Sequence, residues 1–192
     1  MNMLLALDGK CLLWIQEVIR QEWMTPFWKF VTWLGDGGWF WIAVSLALFV
    51  SEKTRRAGIT ALIALGIGAL CTNVILKNAV ARTRPYEVVE GLKILIAKPT
   101  DFSFPSGHSC ASFAAAVVYL RTLPKKYGIS AVVLAVLIAF SRLYVGVHYP
   151  TDVMAGILIG SLAAFLALKI MKKTPDGKPD RRKVERTGNE MT

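Results

Sequence analysis

Only two histidines, three cysteines and 13 acidic residues occur among the 192, and each scarcity narrows what the chain can be. Cys11, Cys71 and Cys110 are odd in number and lack a CxxC spacing, which points away from a disulfide framework or a zinc site. No carboxylate cluster suited to magnesium is present. A separate soluble core is also missing: 54% of residues are hydrophobic, mean hydropathy is +0.46, and long apolar runs alternate with short charged breaks. That composition describes one membrane domain. No signal peptide is expected, because Asp8, Gly9 and Lys10 interrupt the first apolar stretch and no basic segment precedes it.

What is abundant is apolar helix. Five spans are expected, at 37–50, 57–80, 106–120, 129–147 and 152–171, each near the ~20 residues a bilayer requires or somewhat shorter. The breaks 51–56 and 121–127, with Lys169 and the tail after Met171, hold 14 Lys/Arg against 5 Asp/Glu. The opposite side holds 9 Lys/Arg against 8 Asp/Glu, a net +1 against +9. By the positive-inside rule the basic side is cytoplasmic, so the polar motifs between the spans face outward. The segment 172–192 then reads as a disordered basic tail near anionic lipid. A pI near 9.7 also suits nucleic-acid binding, but the membrane reading accounts for where the charge lies, and no nucleic-acid partner is expected.

Residues 1–36 are expected to lie at the interface. Leu12, Ile15, Ile19 and Trp23 recur at helical spacing, with Gln16, Glu17, Arg20 and Gln21 opposite. Pro26 can open a second short helix through Leu34. All six tryptophans (14, 23, 28, 33, 39, 41) fall in or beside this region, as in an aromatic belt. Two roles fit: membrane anchoring, and shaping an access path for lipid.

Three motifs share one chemistry. Lys77 and Arg84 are seven residues apart, so a continuous helix would return them to one face, ~10 Å apart along the axis, with Arg82 pointing elsewhere and Pro85 ending the helix. They could grip one anion, or simply snorkel to headgroups. In Pro105-Ser106-Gly107-His108, Ser106 suits an N-cap and Gly107 leaves the first-turn amides open, making either an anion site or an ordinary capped turn. In Ser141-Arg142-x5-His148-x3-Asp152, Arg142 is a membrane cation that calls for a partner. Asp152 can fix the tautomer of His148 so that its other nitrogen faces a substrate as nucleophile. Gly66, Gly68, Gly156 and Gly160 are read as sites of close helix packing.

Taken together, KxxxxxxRP, PSGH and SRxxxxxHxxxD resemble the signature of the type 2 phosphatidic acid phosphatase (PAP2) superfamily, matched in order from Lys77 to Asp152. The resemblance implies an all-α polytopic membrane bundle of five or six spans, with a catalytic domain over 37–171. It implies His148 as nucleophile with Asp152 as its orienting partner, and His108 as the acid for the leaving oxygen. Lys77, Arg84, Ser106, Gly107 and Arg142 would hold the phosphoryl oxygens. It implies no metal and no cofactor. The partner would be a membrane lipid phosphate or diphosphate, met on the extracytoplasmic face of a bacterial-type plasma membrane.

Undecaprenyl diphosphate is the leading substrate on that resemblance, with a phosphatidylglycerophosphate or phosphatidate phosphatase second and a lipid phosphotransferase third. A non-catalytic scaffold would leave the conjunction of motifs without a reason. The stretch 86–104 is expected along the outer interface beside the site, where it either selects substrate or packs.

Overall fold

A computed structural model describes residues 3–173; the tail from 174 onward lies outside the described residues. Among the described residues the chain is helix and loop with no strand, as the apolar patterning required. Helix α1 covers Met3–Trp14 and runs into a π-helical turn, Ile15–Ile19. Helix α2 is Thr25–Leu34, with proline in its first turn as its fixed φ favours. Helix α3 is Trp39–Val50. Helix α4, Arg55–Ala69, continues through a π-helical stretch Leu70–Leu76 and a last turn Lys77–Val80. Helix α5 is Gly107–Thr122, α6 is Lys125–Tyr144 and α7 is Pro150–Lys173.

Helix α5 is the centre of the bundle, flanked by α4, α6 and α7. Ala114, Ala115, Ala116 and Val118 on it are wholly buried. Its small residues let the neighbouring backbones close in, as expected where helices associate by packing rather than by hydrophobic burial. A Cβ on Gly160 of α7 would sit 2.2 Å from the Cys110 carbonyl oxygen, and one on Gly156 would sit 2.5 Å from that of Ser106. Trp41 is buried too, and its indole N–H donates to Ser112 Oγ at 3.0 Å. Trp28 is likewise a core residue, stacked on Tyr144. These two tryptophans therefore pack inside the bundle rather than in a belt.

Among the described residues, three stretches are long and apolar enough to cross a membrane: Arg55–Val88, Lys125–Tyr144 and Pro150–Lys173. A fourth arises if Glu22–Leu34 and Asp36–Val50, bent by 46°, form one broken span. The central helix α5, at 16 residues, rises ~24 Å, less than the ~30 Å hydrocarbon core.

The first residues differ from a plain amphipathic helix. Leu12 and Ile15 are buried as their spacing suggests, but Trp23 is exposed and the helix has already ended at Ile19. Polar groups on this segment turn inward: Gln16 Nε2 donates to Gly91 O at 3.0 Å, and Arg20 Nε to Tyr144 O at 2.6 Å. Its outward side carries Met3, Leu7, Trp14 and Val18. The segment therefore clasps the end of the bundle through Gln16 and Arg20, and its exposed side mixes these apolar residues with Lys10 and Glu17.

Candidate active site

The three motifs meet at one end of the bundle, around a cavity of about 860 Å3. Each arrives by a different local device. Lys77 lies in the last turn of α4. The helix stops at Val80 because Ala81 takes a left-handed conformation (φ 47°), and Arg84 is extended. The continuous helix expected through Arg84 is thus absent, and Pro85 opens a new short turn, Pro85–Val88, instead of closing the old one. Lys77 and Arg84 still converge, because both pair with the carboxylate of Asp101 in the loop 86–104. Arg84 also donates to the carbonyls of Asp101 and Val147, each at 2.8 Å.

Ser106 is the N-cap of α5, its Oγ accepting from Ser109 N at 3.4 Å and from Ser109 Oγ at 3.0 Å. That leaves Ser106 buried behind the cavity wall, while Gly107 and His108 line the cavity. Arg142 comes from the last turn of α6, is 3% exposed, and donates to Thr32 Oγ1 of α2 at 2.5 Å; its Nε has no partner. His148 lies in the link 145–149, made possible by Gly146 at φ 80°, a left-handed position where a side chain would also strike Arg20.

His148 Nε2 lies 3.4 Å from Arg84 Nη1, and His148 lines the cavity. Its Nδ1 lies 3.5 Å from Asp152 Oδ2, too far for a good hydrogen bond, and has no other partner. Asp152 is saturated from elsewhere: Oδ2 accepts from Ser103 Oγ and from Tyr149 N at 3.0 Å, and Oδ1 accepts from Arg82. Burial pushes the His148 imidazole down to about 3, with Arg142 and Arg84 adding to the effect and Asp152 opposing it. His148 is therefore a neutral imidazole near pH 7, the form a nucleophile needs. Burial raises the Asp101 carboxyl, but Lys77 and Arg84 outweigh it and hold Asp101 at about 2. Asp101 is an anion at the spot where the two cations point.

Several of these partners could not be anticipated. Arg82 does point away from Lys77 and Arg84, but it bridges Asp152 Oδ1 and Asp8 Oδ2 and lies 3.9 Å over the Tyr149 ring. Asp101, Ser103, Asp8 and Asp36 are single carboxylates or hydroxyls without a local pattern, and only folding sets them against the motifs. The one available signal was charge: Asp8 and Asp36 interrupt otherwise apolar stretches. No three His, Cys, Asp or Glu side chains among the described residues converge as metal ligands.

The same cavity has apolar walls, from Ile42 of α3, from Leu62, Leu65, Gly66 and Ala69 of α4, and from Ile96, Ala97 and Pro99 of the loop 86–104. It thus offers cations for an anion and apolar surface for a hydrocarbon chain.

Comparison with known proteins agrees with this architecture. Residues 57–176 match the PAP2 superfamily. The chain is 42% identical over 135 residues to an undecaprenyl-diphosphatase of Sulfolobus acidocaldarius, covering 70% of this chain and 65% of that protein. It is 33% identical over 162 residues to phosphatidylglycerophosphatase B of Bacillus subtilis, covering 78% and 76% of the two chains. Among solved structures, a transmembrane PAP2-type phosphatidylglycerolphosphate phosphatase from Bacillus subtilis superposes with a TM-score of 0.75 at 30% identity, over 93% of this chain and 90% of that one. The chain thus spans about two thirds to three quarters of the length of these two curated relatives. A helical bundle that carries the ordered motifs around one cation-lined cavity, and matches the family in both sequence and fold, belongs to the PAP2 superfamily.

Proposed function

We propose that the chain is a lipid phosphatase that cleaves a phosphate or diphosphate monoester of a membrane lipid through a phosphohistidine intermediate. One observation carries this reading: Lys77 and Arg84, from separate segments, converge on a single carboxylate in the cavity that also contains His148. A phosphoryl group replacing Asp101 there would meet Lys77, Arg84, Arg142 and the first amides of α5, donors arranged for the charge that develops on its oxygens. His148 Nε2 then forms a bond to phosphorus as the bond to the leaving oxygen breaks, and His108 gives that oxygen a proton. Water next attacks phosphorus, His108 takes its proton, and the P–N bond breaks to release inorganic phosphate and restore His148. Asp152 steadies the charged imidazole between the two steps by closing the 3.5 Å gap to Nδ1.

The apolar walls of the cavity favour a lipid over a soluble phosphate ester. Undecaprenyl diphosphate is the substrate we favour, since the relative matched at 42% identity carries that name. Phosphatidylglycerophosphate is the second reading, favoured by the relative and the solved structure from Bacillus subtilis. The residues up to 36 serve as an interfacial clasp, and the tail from 172 serves as a cytoplasmic basic segment. Phosphate release from a panel of lipid phosphates and diphosphates, with and without EDTA, tests the proposal. Turnover of at least one lipid in excess EDTA is expected, strongest with undecaprenyl diphosphate. Absence of release from every lipid, or loss of activity in EDTA that magnesium restores, would contradict it.

A further inference from the structure

The bend between α2 and α3 falls on Gly35-Asp36-Gly37-Gly38. Gly37 (φ 57°) and Gly38 (φ 70°) are left-handed, so the chain bends there within a few residues. Trp39 Nε1 donates to Trp33 O at 3.1 Å across the turn. The turn is seated directly on His108: a Cβ on Gly35 would lie 2.6 Å from His108 Cδ2 and 2.7 Å from Ile138 Cγ2. Only glycine lets the backbone come this close. From the apex, Asp36 Oδ1 lies 2.8 Å from His108 Nε2.

Core packing does not account for this contact. The Asp36 side chain is 55% exposed, so it has water available and no need of an internal partner. Among the described residues its hydrogen-bond and ion-pair partner is His108. The bond matters to the carboxylate, since it is the foremost reason that Asp36 is held below its ordinary value. The edge of the ring formed by Cγ, Cδ2 and Nε2 faces the turn, and the edge bearing Nδ1 is therefore turned away from it. The same relation of carboxylate to imidazole exists, more loosely, between Asp152 and His148.

We infer that Asp36 is a positioning residue for the leaving-group acid: from the apex of the α2–α3 bend it accepts the Nε2–H of His108 and stabilises the imidazolium, so that the second proton, on Nδ1, passes to the departing oxygen. This rests on the reading of His108 as that acid. It gives the glycine-rich bend a catalytic purpose, and assigns one to a residue outside the three motifs.

The test compares Asp36→Asn, His108→Ala and the unaltered protein on two substrates, a long-chain alkyl phosphate and nitrophenyl phosphate, whose leaving group needs little protonation. Asp36 is more than half exposed, so the amide leaves the fold intact, and a vanadate-induced rise in Tm checks that the phosphate site is formed. Because general-acid catalysis contributes about 100-fold or more, loss of the positioning carboxylate is expected to lower kcat on the alkyl phosphate by roughly tenfold. The rate on nitrophenyl phosphate should change by less than about threefold, with KM unaltered for both. His108→Ala should show the same selectivity on a larger scale. Equal losses on both substrates, or a raised KM with kcat intact, in Asp36→Asn alone would overturn the inference and leave the acid role of His108 standing. Equal losses in His108→Ala would overturn both.

Discussion

Arg82 holds two buried carboxylates at once, Asp152 at 0% exposure and Asp8 at 4%. Removing one partner of such a pair leaves an uncompensated charge and costs about 3–5 kcal/mol. Arg82→Ala should therefore lower Tm, and should also lower kcat by up to about 100-fold, because Asp152 loses the group that fixes its position beside His148. Unchanged kcat with a lowered Tm would reduce Arg82 to a purely structural residue. At this scale the sequence is a partial guide. His148, His108, Lys77, Arg84 and Arg142 could be picked out by type and order, and all five line one cavity. Ser106 could be recognised as a cap, and it does cap α5, but it does not line the cavity. Asp36, Asp101 and Asp8 had no such pattern, because a lone carboxylate acquires meaning only from what the fold places opposite it.

Helices were legible where periodicity, caps and proline agree, as for α5 with its Ser106 cap and α7 opening at Pro150. They were misread where the chain breaks without a glycine or proline at the break. Ala81 adopts a left-handed conformation that nothing in its identity announces, so α4 ends before Arg84. Close approach of α5 and α7 is a property of these elements as a pair. Gly160→Ala would place a methyl 2.2 Å from the Cys110 carbonyl and 3.0 Å from Ala114 N, and overpacking of this kind costs about 1–3 kcal/mol. Gly66→Ala meets nothing within 4 Å and gains helix propensity worth up to about 1 kcal/mol. Thermal unfolding in detergent should thus show a lower Tm for Gly160→Ala and an equal or higher Tm for Gly66→Ala. Similar shifts in the two variants would contradict the packing account.

For the whole molecule, the proposed mechanism needs every site residue at one end of the bundle, and we propose that this end faces outward, on the charge asymmetry of +9 against +1. Thr100 and Lys125 are both exposed and belong to opposite ends. With Cys11 replaced, a cysteine at position 100 in intact cells should react with an impermeant reagent, whereas one at 125 should react only after permeabilisation. The reverse pattern would place the site in the cytoplasm and favour a phosphatase of newly made phospholipid precursors over one that recycles an outward-facing diphosphate. The proposed mechanism turns on a covalent step at His148, which can be trapped. Protein quenched in alkali during turnover of a lipid diphosphate radiolabelled in its terminal phosphate should carry label that survives base, is lost in acid, and maps to His148. His148→Ala should carry none and release no phosphate. Label on another residue, or near-normal phosphate release by His148→Ala, would contradict the account.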